Sequence, residues 1–391
     1  MKRCYPKHWV ECKFGDVIQI KNGFAFKSKD FKKTNGIPIV KQTQLAGEKV
    51  DLSKCVYVDK SFLKSKSDFI LKKGDILLGM SGSLGKFCIY DLDEPALQNQ
   101  RVGKIEPISI NYLDKRYCWH FLNTIETLLK EKGKGLGVSN ISPSDIEDLP
   151  FPLPPLNEQK RIVEKLDAIL PKVKSAKARL EKIPVILKKF RQSVLAAACS
   201  GKLTEDWREE YTQRTGKELP EWDEKKLNEI AQINPKNKID DELEVSFIPM
   251  AFISSMFNKN PEFEVKNWKE IKKGFNHFKD NDVIVAKITP CFENSKAGIV
   301  RNLKNGYGAG TTEIYVLRCY DFILPEYLYY IIKTNDFIES GKSLMTGTAG
   351  QQRIPRYFIE NFEINLPPLE EQQEIVRRVE KLFALADSIE E

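Results

Sequence analysis

Leu153-Pro154-Pro155-Leu156-Asn157-Glu158-Gln159 recurs 213 residues later as Leu366-Pro367-Pro368-Leu369-Glu370-Glu371-Gln372. At the same offset Ile162-Val163 meets Ile375-Val376, Trp9 meets Trp222, and Gly137-Val138-Ser139-Asn140-Ile141 meets Gly350-Gln351-Gln352-Arg353-Ile354. Inside the copies the register drifts, with Gly74-Asp75-Ile76-Leu77 resembling Asn281-Asp282-Val283-Ile284. Solenoid repeats run about 20–50 residues, so a period this long means two copies of a domain, each followed by the same connector.

The connector is the most regular segment. From Ile162, apolar residues fall at alternating steps of four and three: Leu166, Ile169, Val173, Ala176, Leu180, Ile183, Leu187, Phe190, Val194 and Ala197. A heptad sustained this long predicts a coiled-coil helix of roughly 38 residues, about 57 Å long. Pro171 and Pro184 lie off the seam and predict bends, and Ser200-Gly201 supplies the stop. The second copy repeats the pattern at Ile375, Val379, Leu382, Ala386 and Ile389. The expected seam is therefore Ile162, Leu166, Ile169, Val173, Leu180, Ile183, Leu187, Phe190, Val194, Ile375, Val379, Leu382 and Ile389. A pseudo-two-fold relation between the copies predicts an antiparallel pair, in which Ile375, Val379, Leu382, Ala386 and Ile389 meet Ala197, Val194, Phe190, Leu187 and Ile183. That register leaves Ile162, Leu166, Ile169 and Val173 without a partner from the same chain.

The repeated domains carry short β-branched and aromatic runs bounded by Gly, Pro, Asn or Asp, among them Ile37 to Val40, Asp75 to Leu78, Phe87 to Tyr90, Val283 to Lys287, Gly298 to Arg301 and Ile314 to Arg318. These read as strands. Helices are expected over Leu113 to Lys130 and Glu326 to Glu339, the second with Pro325 in its first turn. The expected division is a first α+β domain over residues 1–156, a central helix over 157–206, a linker over 207–221, a second α+β domain over 222–369 and a distal helix over 370–391.

Composition narrows the function classes. The 391 residues are 41% apolar and 30% charged, an ordinary globular balance. No apolar run approaches the roughly 20 residues that span a bilayer. The basic start leads into Lys7, His8 and Glu11 rather than an apolar core, so no secretory signal is read and a cytoplasmic location is expected. The eight cysteines and three histidines are scattered, without the close ligand pairs of a structural zinc site; no metal and no cofactor are expected. The net charge of +7 gathers in the first domain and central helix, whereas the distal helix is acidic. That asymmetry is compatible with a polyanionic partner.

Catalytic signatures fail on inspection. Gly82-Ser83-Leu84-Gly85-Lys86-Phe87 has Met80 where a phosphate loop needs its first glycine and Phe87 where it needs Ser or Thr. Glu264-Val265-Lys266 has no nearby Pro-Asp partner for a nuclease metal site, and Asn234-Pro235-Lys236 lacks the second proline and the stacking aromatic of an adenine-flipping motif. Other loops suit DNA better. Small residues with a lysine allow close approach to phosphates, and Gln, Asn and Arg pair with adenine or guanine edges. The residues so offered are Lys41, Gln42, Gln44, Ser81, Ser83, Lys86, Gln98, Asn99, Gln100, Arg101, Asn140, Lys287, Thr289, Lys296, Thr311, Thr312, Gln351, Gln352 and Arg353. Tyr327, Tyr329 and Tyr330 sit on a helix and read as core.

The order of two variable α+β domains, each closed by Leu-Pro-Pro-Leu-x-Glu-Gln and a heptad helix, resembles the specificity subunit of type I restriction-modification systems. Lys188 to Ala198, then Ser200-Gly201-Lys202-Leu203-Thr204 and Trp207-Arg208, match that family's central conserved region. The resemblance implies two target recognition domains separated by long antiparallel coiled-coil helices, each reading one part of a split double-stranded DNA site. It implies no catalysis by this chain, which would bind two modification (methyltransferase) subunits and, through them, restriction subunits. Against the central helix, the distal helix would be expected to reach about residue 420, so self-association through the exposed seam is a further expectation. Two rival readings are a stand-alone DNA methyltransferase or nuclease, and a coiled-coil adaptor that never touches DNA.

Overall fold

A computed structural model describes residues 5–47, 49–80, 87–136, 143–257 and 260–390. The chain forms two compact units, residues 1–177 and 178–391, whose sheets follow one plan.

In the first unit the strands are β1 (Val10–Lys13), β2 (Ile18–Asn22), β3 (Ile37–Val40), β4 (Leu45–Ala46), β5 (Lys49–Val50), β6 (Val56–Val58), β7 (Ile70–Leu71), β8 (Asp75–Gly79), β9 (Phe87–Tyr90), β10 (Ala96–Gln98), β11 (Val102–Pro107) and β12 (Pro150–Leu153). They form sheets in the orders β6-β3-β10-β7, β2-β11-β8-β9-β5-β4 and β1-β12. The second unit has β13 (Asp223–Lys226), β14 (Ala231–Ile233), β15 (Glu244–Ile248), β16 (Glu264–Asn267), β17 (Asn276–Lys279), β18 (Val283–Ala286), β19 (Ala297–Ile299), β20 (Tyr307–Gly310), β21 (Ile314–Cys319) and β22 (Glu363–Leu366). Their orders, β16-β15-β20-β17, β14-β21-β18-β19 and β13-β22, are the same set without the β4–β5 hairpin. Even the parallel pairing recurs, Leu97 opposite Ile39 and Phe247 opposite Ala309. The duplication seen in the sequence is thus a duplication of topology.

Strands such as Val283–Ala286 are buried at every residue, which explains their unbroken apolar composition. One face of each unit is closed by a helix, Lys115–Leu136 in the first and Pro325–Ile332 in the second. The equivalent tyrosines make equivalent bonds: Tyr117 Oη donates to the Pro152 carbonyl and Tyr327 Oη to the Asn365 carbonyl, each at 2.8 Å. Tyr327, Tyr329 and Tyr330 are core residues. The helix expected over Glu326 to Glu339 breaks at Lys333–Thr334 and restarts as Asn335–Ser343. Thr334 caps the new start by accepting the Phe337 N–H, a typical use of a threonine hydroxyl.

The connector corrects a second expectation. It is two helices, Leu156–Leu180 and Ile183–Cys199, interrupted at Glu181–Lys182. Pro171 is accommodated inside the first. Pro184 lies in the first turn of the second, where its missing N–H removes no bond. Nor is residues 207–221 a plain linker, because the helix Glu205–Thr215 occupies most of it.

Within the second unit, Ile183–Cys199 and the distal helix Leu369–Glu390 pack antiparallel. Thr204 bonds Glu371 at one end and Arg191 bonds Asp387 and Glu390 at the other. Leu187, Val194, Ile375, Val379 and Ala386 are buried, as the seam predicts, and Phe383 joins them. The seam is not filled along its length, however. Phe190 is 37% exposed and Ile389 57%, while Ile169, Val173 and Leu180 lie open at 54%, 55% and 64%. Ile162 has a same-chain partner after all, since it packs against the first unit's core; Leu166 faces Tyr5, Tyr117 and His120 there.

Candidate nucleic-acid interface

In each unit the backbone brings part of the sequence-selected set together. In the first they follow the C-terminal ends of β3, β8 and β10. The backbone draws these segments together: Met80 N–H donates to the Arg101 carbonyl at 3.1 Å and Asn99 N–H to the Val40 carbonyl at 3.0 Å. Gln42 lies so near Gly79 that a Cβ there would stand 3.3 Å from its Cγ. Gly23 passes still closer to this turn, since a Cβ would fall 2.2 Å from the Asn99 carbonyl oxygen; only glycine allows that approach.

Not every amide in this group can read a base. Gln98 is 1% exposed and its Nε2 donates to the Lys21 and Val102 carbonyls. Gln44 is 5% exposed, accepting from Lys41 N–H and donating to the Lys54 carbonyl. Asn99 is also buried. Gln98 and Gln44 hold the turns in shape, because a buried amide must satisfy its own hydrogen bonds. Gln100 and Arg101 are exposed, and Arg101 makes no ion pair with a described residue. Lys41, half-buried, lies 4.0 Å above the Phe31 ring. Ser81, Ser83, Lys86 and Asn140 lie outside the described residues.

In the second unit Lys287 and Thr289 follow β18, Thr311 and Thr312 link β20 to β21, Lys296 precedes β19, and Gln351, Gln352 and Arg353 lie before the helix Arg356–Asn361. Lys287 N–H donates to the Glu313 carbonyl, Ile354 N–H to the Lys287 carbonyl and Thr289 N–H to the Gln352 carbonyl. The Thr289 hydroxyl in turn accepts the Gln352 N–H at 3.1 Å. Thr289 is therefore a buried strut. Lys296 Nζ donates to the Met250 carbonyl. Thr312 and Gln351 are exposed, while Lys287, Lys296, Thr311 and Gln352 are half-buried.

Arg353 departs from expectation. Its Nε and Nη2 bind both oxygens of Glu313 at 2.8 and 3.0 Å, and its Nη1 donates to the Gln351 carbonyl. The Arg353 hydrogen bond holds the Glu313 carboxyl below the usual carboxylate range. A bidentate pair of this kind is neutral and fixed in direction, so Arg353 braces two loops and adds no net charge. Glu313 was missed in the sequence, where it stands 40 residues from its partner with no local signal.

Against this geometry the comparisons with known proteins are decisive. The sequence profile of the type I restriction modification DNA specificity domain matches residues 6–185 and again residues 220–391. The chain belongs to this family. Both matches coincide with a copy of the fold. Among curated relatives, the type I restriction enzyme EcoBI specificity subunit of Escherichia coli is 31% identical over 415 residues, covering 98% of this chain and 81% of that one. The EcoAI specificity subunit, also from Escherichia coli, is 52% identical over 177 residues, but the match spans only 44% of this chain and 30% of that protein. The HsdS subunit from Thermoanaerobacter tengcongensis aligns over 100% of this chain and 92% of its own with a TM-score of 0.59 at 16% identity. A chain solved in work on complex assembly and conformational transition of the type I R-M system gives 0.67 at 17%, covering 99% and 93%. Structures this distant speak to the specificity-family fold alone. Among the described residues no helix is long and apolar enough to cross a membrane.

Proposed function

We propose that this chain is the sequence-reading subunit of a type I restriction-modification enzyme. Each α+β domain reads one part of a split double-stranded DNA target with the loops at the shared strand ends. The helices bind two modification subunits and, through them, restriction subunits. The chain itself catalyses nothing and works in the cytoplasm. The observation that carries this reading is the coincidence of two specificity-domain matches with two copies of one topology. Ile169, Val173 and Leu180 offer an apolar stripe for a partner or a second copy, since stripes of this length are poor solvent surfaces.

The test is a titration of the full chain with duplexes of randomised sequence at several salt concentrations. Specific enrichment of a bipartite site, with affinity falling steeply as salt rises, is the expected result. Methylation of DNA by this chain as the only protein would favour a stand-alone methyltransferase instead.

A further inference from the structure

Lys333 is 0% exposed, yet it makes no ion pair with a described residue. Its Nζ donates to two backbone carbonyls, Ser255 at 2.9 Å and Ser295 at 2.6 Å, and lies 4.9 Å from the Phe257 ring centroid and 5.7 Å from that of Tyr329. An ammonium in such surroundings is expensive to bury, and burial lowers its pKa from the ordinary lysine value to about 7. Leucine or methionine would fill the space more cheaply, so the amine needs a role that its shape alone does not give.

The two carbonyls show what that role is. Ser255 follows the short helical turn Met250–Phe252 at the end of β15, and Ser295 ends the loop between β18 and β19. Both segments adjoin the recognition end, because Lys296 Nζ reaches back to the Met250 carbonyl. Ser295 is held at φ +55°, a strained setting for a residue with a Cβ, and its buried hydroxyl has no partner. On its other side Lys333 is clamped to the connector: Gln192 Nε2 donates to the Lys333 carbonyl and Gln192 Oε1 accepts the Asn335 N–H, both at 2.9 Å. A continuous path therefore runs from the helix Ile183–Cys199 through the break at Lys333–Thr334 to two loops.

We propose that Lys333 is a positioning residue for DNA reading, fixing the loops that carry Ser255 and Ser295 against the connector helix. The inference rests on the DNA-reading function proposed above.

The experiment is site selection from randomised duplexes by the full chain, comparing wild type, Lys333→Met and the core truncation Ile364→Val. Lys333→Met keeps the length of the side chain and removes its donors. Discrimination at the second half-site should fall by about tenfold, the effect of roughly one lost base contact, with the first half-site unchanged. Ile364→Val should lower stability and leave both half-sites as they were. Equal second-site discrimination by wild type and Lys333→Met overturns the inference. A wild-type chain that enriches no duplex sinks the DNA reading itself, and the inference with it. Should Lys333→Met not fold, the wild-type protein labelled with 15N-lysine decides: the Lys333 resonance should shift on adding a selected duplex and stay still with one whose second half is scrambled. No shift with either refutes the role.

Discussion

Replacing Gln372 by alanine should destabilise the second unit by about 3 kcal/mol. The side chain is fully buried and makes three hydrogen bonds to backbone: Oε1 accepts the Leu324 N–H at 2.8 Å, and Nε2 donates to the Phe322 and Pro367 carbonyls at 3.0 and 2.9 Å. Truncation leaves one N–H and two carbonyls without protein partners. Each buried orphan costs about 1–3 kcal/mol, and a water entering the space offsets part of the total, which sets the figure near the lower end. Gln159 does the same in the first unit with Asp114, Tyr112 and Pro154, each at 2.8 Å. This explains physically why Leu-Pro-Pro-Leu-x-Glu-Gln appears twice: the glutamine ties the start of each connector to the loop before each covering helix. Urea denaturation followed by hydrogen exchange at Leu324 and Asp114 reads the effect unit by unit. Gln372→Ala should speed exchange at Leu324 and leave Asp114 alone, and Gln159→Ala the reverse. The exposed neighbour Gln373 serves as control, with a loss under about 0.5 kcal/mol on alanine substitution. If Gln372→Ala were as mild as Gln373→Ala, the clamp would not hold the loop.

Arg101→Ala should weaken duplex binding and lower the salt slope by about one, whereas removing Arg353 and Glu313 together should leave the slope nearly unchanged because their charges cancel; equal slope changes would refute the distinction. Lys333 binds its proton less tightly when folded, with its pKa at about 7, than when unfolded at the ordinary 10.5. Folding therefore expels a proton between those values, and stability should rise by on the order of a few kcal/mol as pH climbs from 7 toward 10; Lys333→Met should flatten that rise in pH-dependent denaturation. Four residues inserted near Ser175, about 6 Å of helix, should change the preferred half-site spacing by one or two base pairs without altering the bases read, as site selection would show.

The parts legible in the sequence are those governed by period. The 213-residue offset and the heptad are carried by side chains whose spacing alone fixes their face, and the antiparallel run of Ile183–Cys199 against Leu369–Glu390 follows. What escaped is decided across space. Gln98 and Gln100 are two residues apart in one polar turn, and nothing local says that the first turns into the core while the second faces solvent. The helix break at Lys333–Thr334 depends on Gln192, 141 residues away. Arg353 carries no local sign of its carboxylate, which lies in the turn between β20 and β21, 40 residues earlier.

The distal helix is held in two different ways along its length. Ile375, Val379 and Phe383 are sealed in the core, and apolar burial is little affected by ordinary salt. Beyond them Ile389 is open to solvent, so the final turn is held mainly by Asp387 and Glu390 on the guanidinium of Arg191, at 2.5 and 2.9 Å. Two carboxylates share one guanidinium there. Ionic strength and acid therefore act on this stretch of the helix, where they weaken the ion pairs, while sparing the sealed stretch from Ile375 to Phe383.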